Sequence, residues 1–263
     1  MTTKVLEQAP EEGERKYRAP ALEKGLDILE LLAEIGEPLT TSQIAAKLGR
    51  SVSELFRMVL TLEARGYIAQ IGGREGYGLT NKMFALGVAQ TPTRTLIEVA
   101  LPEMQELARK IGQSCHLVVA SNDQIVVVAR IESPMDLGFS VRVGYRRPLI
   151  ESTSGIILCA VQEPEERERV LEELEAVSDA EVFAGFRSKV ESSLNAGRVR
   201  SQSDFVKGVV DLASPVMGQK GAIASLTVPY VDCNPVTCDQ DEAFDMLKLA
   251  TEQISAALGT ENT

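Results

Sequence analysis

Two short groups of residues in the second half of the sequence combine hydroxyl groups with free backbone donors, which suits the binding of a small ligand. Thr153, Ser154 and Gly155 stand at the expected start of a helix, where backbone N–H groups and hydroxyls can receive a carboxylate. Ser225 and Thr227 alternate along the otherwise apolar run IASLTV, so a strand there places both on one face. Both groups also have an ordinary structural explanation, because Ser and Thr cap helices and hydrogen-bond neighbouring strands.

Three more residues are candidates for the same ligand site. Asp204 stands just before the strand expected over 208–216, where its carboxylate can contact a ligand or simply cap a surface turn. The run 137–143 alternates apolar and polar residues and predicts a half-buried strand. Its Leu137 and Phe139 would close the apolar side of a pocket in which a few polar groups converge.

The residues that common catalytic and metal-dependent mechanisms require are scarce. His116, within SCHLVV, is the only histidine, so any Ser-His or Cys-His mechanism must use it, although in such a strand a histidine is more often structural. The sequence contains no G-x-S-x-G, H-E-x-x-H, P-loop or G-x-G-x-x-G pattern. Cys233 and Cys238 would bind a metal only with distant ligands, so we expect reduced structural cysteines, no metal and no cofactor.

A different group of candidates, in the first third of the chain, suits contacts with DNA. The residues are Arg50, Ser51, Ser53, Arg57, Thr61 and Arg74. Arg57 lies opposite the apolar stripe of a helix expected over 51–65 and can bind a phosphate or a guanine edge. Arg50 and Arg74 suit phosphate contacts, which position a protein on DNA without reading its sequence.

Local sequence signals place these residues in a winged helix-turn-helix over 38–79. Capping boxes of the S/T-x-x-E/Q type at 40–43 and 51–54 predict the starts of two helices, and Gly49 ends the first. A strand-like run, a turn with three glycines and a returning YGL predict the hairpin that forms the wing. An amphipathic helix upstream is expected to pack beneath the pair. Its apolar residues are Leu22, Leu26, Ile28, Leu29 and Leu32.

The composition is that of a soluble globular protein with room for two domains. The chain has 263 residues, of which 44% are apolar and 25% are charged. No apolar run approaches the roughly 18 residues needed to cross a bilayer, and the polar N-terminal segment does not form a secretory signal. We therefore expect a cytoplasmic protein.

The net charge of −11 is unusual for a DNA-binding protein, but it is unevenly distributed. Residues 20–90 carry seven basic and eight acidic groups, whereas residues 91–263 carry 16 and 26, which gives net charges of −1 and −10. A near-neutral DNA-binding domain can neutralise only a few phosphates per copy. Two copies are then needed for useful affinity and for reading two half-sites, so we expect a homodimer or a tetramer made of two dimers.

The pattern of helices and strands predicts four segments. Residues 1–19 form a mobile tail, 20–81 the winged helix-turn-helix, 82–98 a linker helix and 99–263 a second domain. In that domain, strands are expected over 114–120, 124–131, 137–143, 209–216 and 222–229, and helices over 152–162, 164–177, 186–196 and 239–258. Antiparallel strands with flanking helices indicate an α+β domain.

Several stretches of the sequence, in a fixed order from about residue 20 to 258, resemble a known family. They are ALEKGLDILELLAE, LTTSQIAAKLGRSVSELFRMVLTLEARGYI, a hairpin ending YGLT, GQSCHLVVASNDQIVVVARIES, RRPLIESTSGIILCA, SDFVKGVVDLASPV and GAIASLTVPY. With them the chain resembles the isocitrate lyase regulator (IclR) family of bacterial transcription factors.

The resemblance implies a GAF-like second domain with a cavity for a small effector. Positions matching Thr153, Ser154, Ser225 and Thr227 lie at the effector site in that family, and a polar residue near Asp204 contributes. The family often has alanine or glycine where this chain has Thr153 and Ser154. The more hydroxylated rim suits an oxygen-rich effector, such as a small organic or sugar acid.

The sequence is consistent with three hypotheses about function, and the first is preferred. In the first, the chain is a transcription regulator whose operator binding responds to a small-molecule effector, and the sequence does not distinguish a repressor from an activator. The alternative is a metabolic enzyme built on an α+β domain with a helical accessory domain. In a third interpretation, the helix-turn-helix only packs within a protein-interaction module.

Overall fold

The computed structural model describes residues 19–71, 76–88, 91–136, 138–203, 206–232 and 237–260, and the chain divides into two compact units between Gln90 and Thr91. The tail predicted over 1–19 lies, apart from its last residue, outside the described residues. The same is true of four residues singled out above, Arg74, Leu137, Asp204 and Cys233. Within the described part of the chain, no helix has both the length and the apolar character that a membrane span requires.

The first unit is a winged helix-turn-helix, as the sequence predicts. It comprises α1 (Pro20–Ile35), α2 (Thr41–Lys47), α3 (Val52–Ala64), β1 (Ile68–Gln70), β2 (Tyr77–Leu79) and α4 (Lys82–Val88). Both predicted capping boxes are formed, Thr40 with Gln43 before α2 and Ser51 with Glu54 before α3. The strands β1 and β2 pair antiparallel and make the wing.

The core of this unit uses a narrower stripe of α1 than the sequence predicts. Ile28, Leu29 and Leu32 are buried against α2, α3 and β1, but Leu22 and Leu26 are 63% and 47% exposed, so their predicted burial is wrong. The apolar residues of α1 spread over more of the helix circumference than the neighbouring helices cover. The two exposed leucines instead border an apolar groove that also involves α3 and α4.

The second unit is an α+β domain built on a six-stranded antiparallel sheet. Its elements are α5 (Thr91–Ile111), β3 (Cys115–Ser121), β4 (Gln124–Ile131), β5 (Arg146–Pro148), a 3₁₀ turn (Leu149–Glu151), α6 (Thr153–Ala160), α7 (Pro164–Val177), α8 (Ala180–Ser193), β6 (Val199–Gln202), β7 (Val209–Gly218), β8 (Gly221–Val231) and α9 (Gln240–Thr260). The strand order in the sheet is β5-β4-β3-β8-β7-β6.

Strand alternation divides the apolar residues of this unit between two layers. Leu117, Leu212 and Leu226 point to one face of the sheet, where they pack with α5 and α9. Val118 and Ala213 point to the other face, where they pack with α6, α7 and α8. The face under α6 therefore also receives Ser225 and Thr227, which obey the same alternation on β8.

Three local predictions in this unit need correction. Residues 138–143 form no strand. The chain reaches the edge of β4 only at Gly144, which donates to the Val127 carbonyl over 2.8 Å, and β5 pairs with β4 from there. The helix predicted over 186–196 is α8, which begins earlier, after the Asp179 cap. The sequence also suggests that Pro102 lies near a fresh helix start, but it lies inside a continuous α5.

Candidate functional site

A small cavity lies where α6 begins, above the centre of the sheet. β3 and β8 pair with His116 opposite Thr227, and alternation directs both side chains towards α6. There the Ser154 and Thr227 hydroxyls hydrogen-bond to each other over 2.8 Å. The cavity has a volume of about 40 Å³. Its walls are formed by His116, Ile125, Val127, Val141, Tyr145, Arg147, Glu151, Ser152, Thr153, Ser154, Asp211 and Thr227.

Of the three residues predicted at the start of α6, Thr153 and Ser154 line this cavity and Gly155 does not. Thr153 and Ser154 are buried and line the cavity. The backbone N–H of Gly155 donates to the N-cap hydroxyl of Ser152 over 2.9 Å, so it is already bonded. A Cβ at Gly155 would clash with the carbonyl oxygen of Leu149, so the close approach of the 3₁₀ turn requires glycine there.

The other predicted ligand residues are not all brought to the cavity. Thr227 lines it, whereas Ser225 is fully buried beneath, with its hydroxyl 3.3 Å from that of Thr227. Phe139 is half-buried and its carbonyl accepts a hydrogen bond from Ser114, but Val141 is the residue of this loop that reaches the wall. Leu137 and Asp204 lie outside the described residues.

Sequence reasoning missed four polar residues of the cavity wall. They are Tyr145, Arg147, Glu151 and Asp211. The Arg147 side chain is only 15% exposed, and its guanidinium lies 3.5 Å from the Glu151 carboxylate. The run RRP before the serine-rich segment was the available signal, but a three-residue strand leaves too little alternation to show which arginine points inward.

The sequence suggests either a catalytic or a structural role for His116, and the structure places it in the wall of the cavity. It is 7% exposed, lines the cavity, and its Nδ1 is buried without a hydrogen-bond partner among the described residues. Burial lowers the pKa of His116 to about 4, so the imidazole is neutral near pH 7. A neutral ring nitrogen facing a cavity can donate to or accept from a ligand, depending on its tautomer.

The cysteines are poorly suited to nucleophilic or metal chemistry. Burial raises the pKa of Cys115 and of Cys159 to about 12, and that of Cys238 to about 11, so these thiols remain protonated near pH 7. Among the described residues, no three histidine, cysteine or acidic side chains are grouped so as to hold a metal ion. Cys233, the possible partner of Cys238, is not described.

The predicted DNA-contact residues that are described lie at the surface of the first unit. Ser51, Ser53, Arg57 and Thr61 are exposed, at the N-cap of α3 and along the helix. Arg57 forms no ion pair within the described chain, which leaves its guanidinium available to a phosphate or base. The Thr61 hydroxyl donates to the Arg57 carbonyl over 2.7 Å and so is partly used within the helix.

Two charged groups beside α3 are already paired. The backbone N–H of Ser51 and the ammonium group of Lys24 donate to Glu54 over 3.0 and 3.1 Å, and these contacts lower the pKa of Glu54 to about 2. Glu54 is thus a helix cap, as predicted, rather than a group free to accept from cytosine. Arg50 lies 3.2 Å from the Asp27 carboxylate, so a phosphate would have to compete with that pair.

Both units match family models. Residues 21–72 match the IclR helix-turn-helix domain, and residues 89–256 match the bacterial transcriptional regulator IclR C-terminal family.

Curated proteins and solved structures agree with these matches. The chain is 28% identical to the HTH-type transcriptional regulator KdgR of Escherichia coli K12, over 90% of this chain and 91% of that protein. It is 25% identical to the glycerol operon regulatory protein of Streptomyces coelicolor, over 74% and 78%. In fold it is similar to an IclR homolog from Microbacterium hydrocarbonoxydans complexed with 4-hydroxybenzoate, with a TM-score of 0.76, 21% identity and coverage of 91% and 99%.

Proposed function

Because the chain belongs to the IclR family of bacterial transcription regulators, we propose that a small hydroxylated acid, bound in the cavity at the start of α6, controls its binding to operator DNA. The chain is a DNA-binding regulator rather than an enzyme, because it contains a helix-turn-helix domain and is similar to known transcriptional regulators. The observation that carries the proposal is the cavity in which Arg147 and the Thr153, Ser154 and Thr227 side chains meet.

The cavity offers two features that favour a carboxylate. The guanidinium of Arg147 is the natural partner of a carboxylate, and its low exposure strengthens the interaction. The N-terminus of α6 adds a partial positive charge. The hydroxyls of Thr153 and Ser154 at that terminus add hydrogen-bond donors. A carboxylate approaching Arg147 would replace or share its contact with Glu151. The Microbacterium homolog, which binds 4-hydroxybenzoate, is an example of this fold holding a carboxylic acid.

The same cavity also favours hydroxyl groups on the ligand. Glu151 and Asp211 contribute acceptors to the wall, and a ligand carrying only negative charge would be repelled by them. Hydroxyls can donate to these carboxylates while the acid group faces Arg147. A hydroxylated organic acid, including a sugar acid, can use both the guanidinium and the acceptors of the wall, whereas a purely apolar acid makes no use of the acceptors.

The size of the cavity links ligand binding to a change in the protein. A volume of about 40 Å³ holds a few water molecules, so a larger acid fits wholly inside the cavity only when wall residues move apart. A ligand that binds an expanded cavity stabilises the conformations in which it is expanded. We propose that this shift in population alters the placement of two α3 helices in a dimer or tetramer. Since operator DNA is the target, the cytoplasm is the expected place of action.

Operator binding in the presence of three matched small molecules tests the proposal. Fluorescence anisotropy with promoter DNA is measured with gluconate, with sorbitol, which lacks the acid, and with hexanoate, which lacks the hydroxyls. We expect gluconate, or another hydroxy acid of similar size, to change operator affinity at concentrations where sorbitol and hexanoate have no effect. Equal responses to sorbitol would contradict the role of the acid group.

A pair of neighbouring arginines supplies the matched variants. Arg147 lines the cavity, whereas Arg146 precedes it on β5, is exposed and is absent from the wall. Arg147→Gln should weaken the response to the acid at least tenfold while leaving operator affinity without ligand intact, and Arg146→Gln should change neither. If both variants respond as the wild type does, the acid does not bind at this cavity.

A further inference from the structure

The helix α3 carries an apolar row on its exposed side that no core contact explains. Val52, Phe56 and Leu60 are 41%, 51% and 43% exposed. Their spacing of four residues places them one above another along the helix. The core of the unit is served by a different side of α3, where Leu55 and Val59 are buried. We call the three exposed residues the apolar row.

A second row runs beside the first and is polar. Ser53, Arg57 and Thr61 each come one residue after a member of the apolar row, and all are exposed. The exposed surface of α3 thus carries an apolar row beside the core-facing side and a polar row opposite the core, with Arg57 midway along the polar row. A contiguous apolar strip of this kind on a surface helix marks a contact surface rather than scattered exposure.

We propose that the apolar row contacts the 5-methyl groups of thymines in the major groove, and so gives the operator half-site a requirement for thymine at the positions that face it. This inference rests on the proposed function, in which α3 is the helix that enters the groove. On the base edges of the major groove, the methyl group of thymine is the apolar group that a protein can contact. Arg57, in the adjacent row, can hold a guanine edge or a phosphate at the same time.

The spacing of the row fits this role. Residues four apart on a helix are separated by about 6 Å along its axis, because the rise is about 1.5 Å per residue. Two base-pair steps of about 3.4 Å cover a similar length. Successive members of the row can therefore reach thymines two steps apart. Glu54, the acidic residue of this part of α3, does not oppose the approach of DNA strongly, since Lys24 and the backbone of Ser51 hold its carboxylate.

A protein surface is the competing occupant, and the residues around the row disfavour it. Another apolar surface of this unit is the groove between α1, α3 and α4, which is bordered by Met58 and Leu62 of α3 and by Leu26. That groove is lined almost entirely by apolar residues, as a protein interface requires. The apolar row is instead flanked by Ser53 and Arg57, which match the phosphates and polar base edges beside a thymine methyl.

Replacement of thymine by uracil tests the inference, since uracil lacks only the methyl group. A duplex bound by the full-length protein is first selected from a random-sequence pool. Each thymine of the half-site is then replaced by deoxyuridine, and the dissociation constant is measured by anisotropy. We expect the replacement to weaken binding about three- to fivefold at each contacted position, the effect of removing one buried methyl group.

Variants of the row connect the lost methyl to a side chain. Phe56→Ala and Leu60→Ala should bind the thymine duplex more weakly and should no longer distinguish it from the uracil duplex at their own positions. Phe56→Leu, which keeps an apolar side chain, should retain part of the distinction. Leu22→Ala, an exposed leucine on α1, is the matched control: the ratio of the two dissociation constants should equal that of the wild type.

Each outcome bears on the inference separately from the proposed function. If the protein selects a sequence but uracil has no effect at any position, α3 can still read DNA, but the row does not read thymine methyls. Discrimination that survives in both Phe56→Ala and Leu60→Ala assigns the methyl contacts to other residues and overturns the inference. Altered self-association of these variants by sedimentation, with an unchanged thymine preference, assigns the row to an interface between copies. Failure to bind any duplex would remove the proposed function as well.

Discussion

The hydrogen bond between Ser154 and Thr227 should contribute to stability and to ligand response, and the two contributions can be separated. The hydroxyls are 2.8 Å apart and buried between α6 and β8. Ser154→Ala leaves Thr227 with its longer contact to Ser225, so we expect a loss of about 1 kcal/mol in the free energy of unfolding. Thr227→Val keeps the shape of the side chain but removes the hydroxyl that contacts both Ser154 and Ser225. We therefore expect a loss of about 2 kcal/mol in the free energy of unfolding.

The double variant provides the measurement of the bond itself. Once Ser154 is alanine, Thr227→Val no longer strands the Ser154 hydroxyl, so the two losses should not add. We expect the double variant to be more stable than the sum predicts by about 1 kcal/mol. The chain contains no tryptophan, so urea unfolding is best monitored by far-UV circular dichroism. Losses that add to within about 0.3 kcal/mol would show that the hydroxyls do not interact.

A similar bond on the opposite face of the sheet is the control for function. The hydroxyls of Ser214 and Thr251 are also buried and 2.8 Å apart, but they connect β7 to α9, away from the cavity. Ser214→Ala should reduce stability by a similar amount while leaving the response of operator binding to hydroxy acids unchanged. Ser154→Ala and Thr227→Val should weaken that response. A response equally reduced in Ser214→Ala would mean that general destabilisation, and not the cavity, accounts for the effect.

Three further predictions concern charged or titrating groups. Arg57→Ala should reduce retention on operator DNA at least tenfold without changing the melting temperature. Arg65 is an exposed arginine at the end of the same helix, and Arg65→Ala should have a smaller effect. Equal losses in the two variants would contradict a specific role for Arg57. The contacts that lower the pKa of Glu54 to about 2 stabilise the fold fully above the ordinary value of 4.5 and are lost as the pH falls towards 2, so the difference in melting temperature between the wild type and Glu54→Gln should shrink over that range. Burial lowers the pKa of His116 from 6.5 to about 4, so the fold becomes progressively less stable as the pH falls between those values. His116→Gln should remove this part of the acid sensitivity. Identical profiles of stability against pH for the wild type and the variant would contradict the prediction.

Features encoded by residues close in sequence were predictable. The capping boxes at Thr40 and Ser51 each join residues three apart, and both form as predicted. The two hairpin strands on either side of Asn122 were predicted from their β-rich composition and the turn signal between them, and β3 and β4 pair there. In each case the interaction that fixes the element lies within the segment, so no information about the rest of the fold is needed.

The wall of the cavity could be predicted only in part, because it depends on strand register. Ser225 and Thr227 share a face, as alternation requires, yet only Thr227 reaches the cavity, since Ser225 lies deeper under α6. The contact of His116 with this site results from its pairing opposite Thr227, which joins distant parts of the chain. Nothing in the local sequence specifies that register. Alternation over 137–143 was misleading for a related reason, since a strand also needs a partner, and the residues that pair with β4 are 146–148.

The ion pairs in the first unit limit operator affinity, and so limit the coupling free energy that a ligand must supply to change operator binding. Arg50 and Lys24 are already engaged with Asp27 and Glu54, so a phosphate that recruits either must first displace a carboxylate. Among the described residues of α3, Arg57 is the cation that can bind a phosphate without displacing a carboxylate. Each copy therefore gains only a few new phosphate contacts, so operator affinity should be modest and should fall with added salt. A modest affinity can be switched by a modest coupling. A change of about 1–3 kcal/mol, which corresponds to a factor of about 5–150 in affinity, is enough to change the occupancy of an operator. The proposed control therefore does not require the ligand to refold either unit.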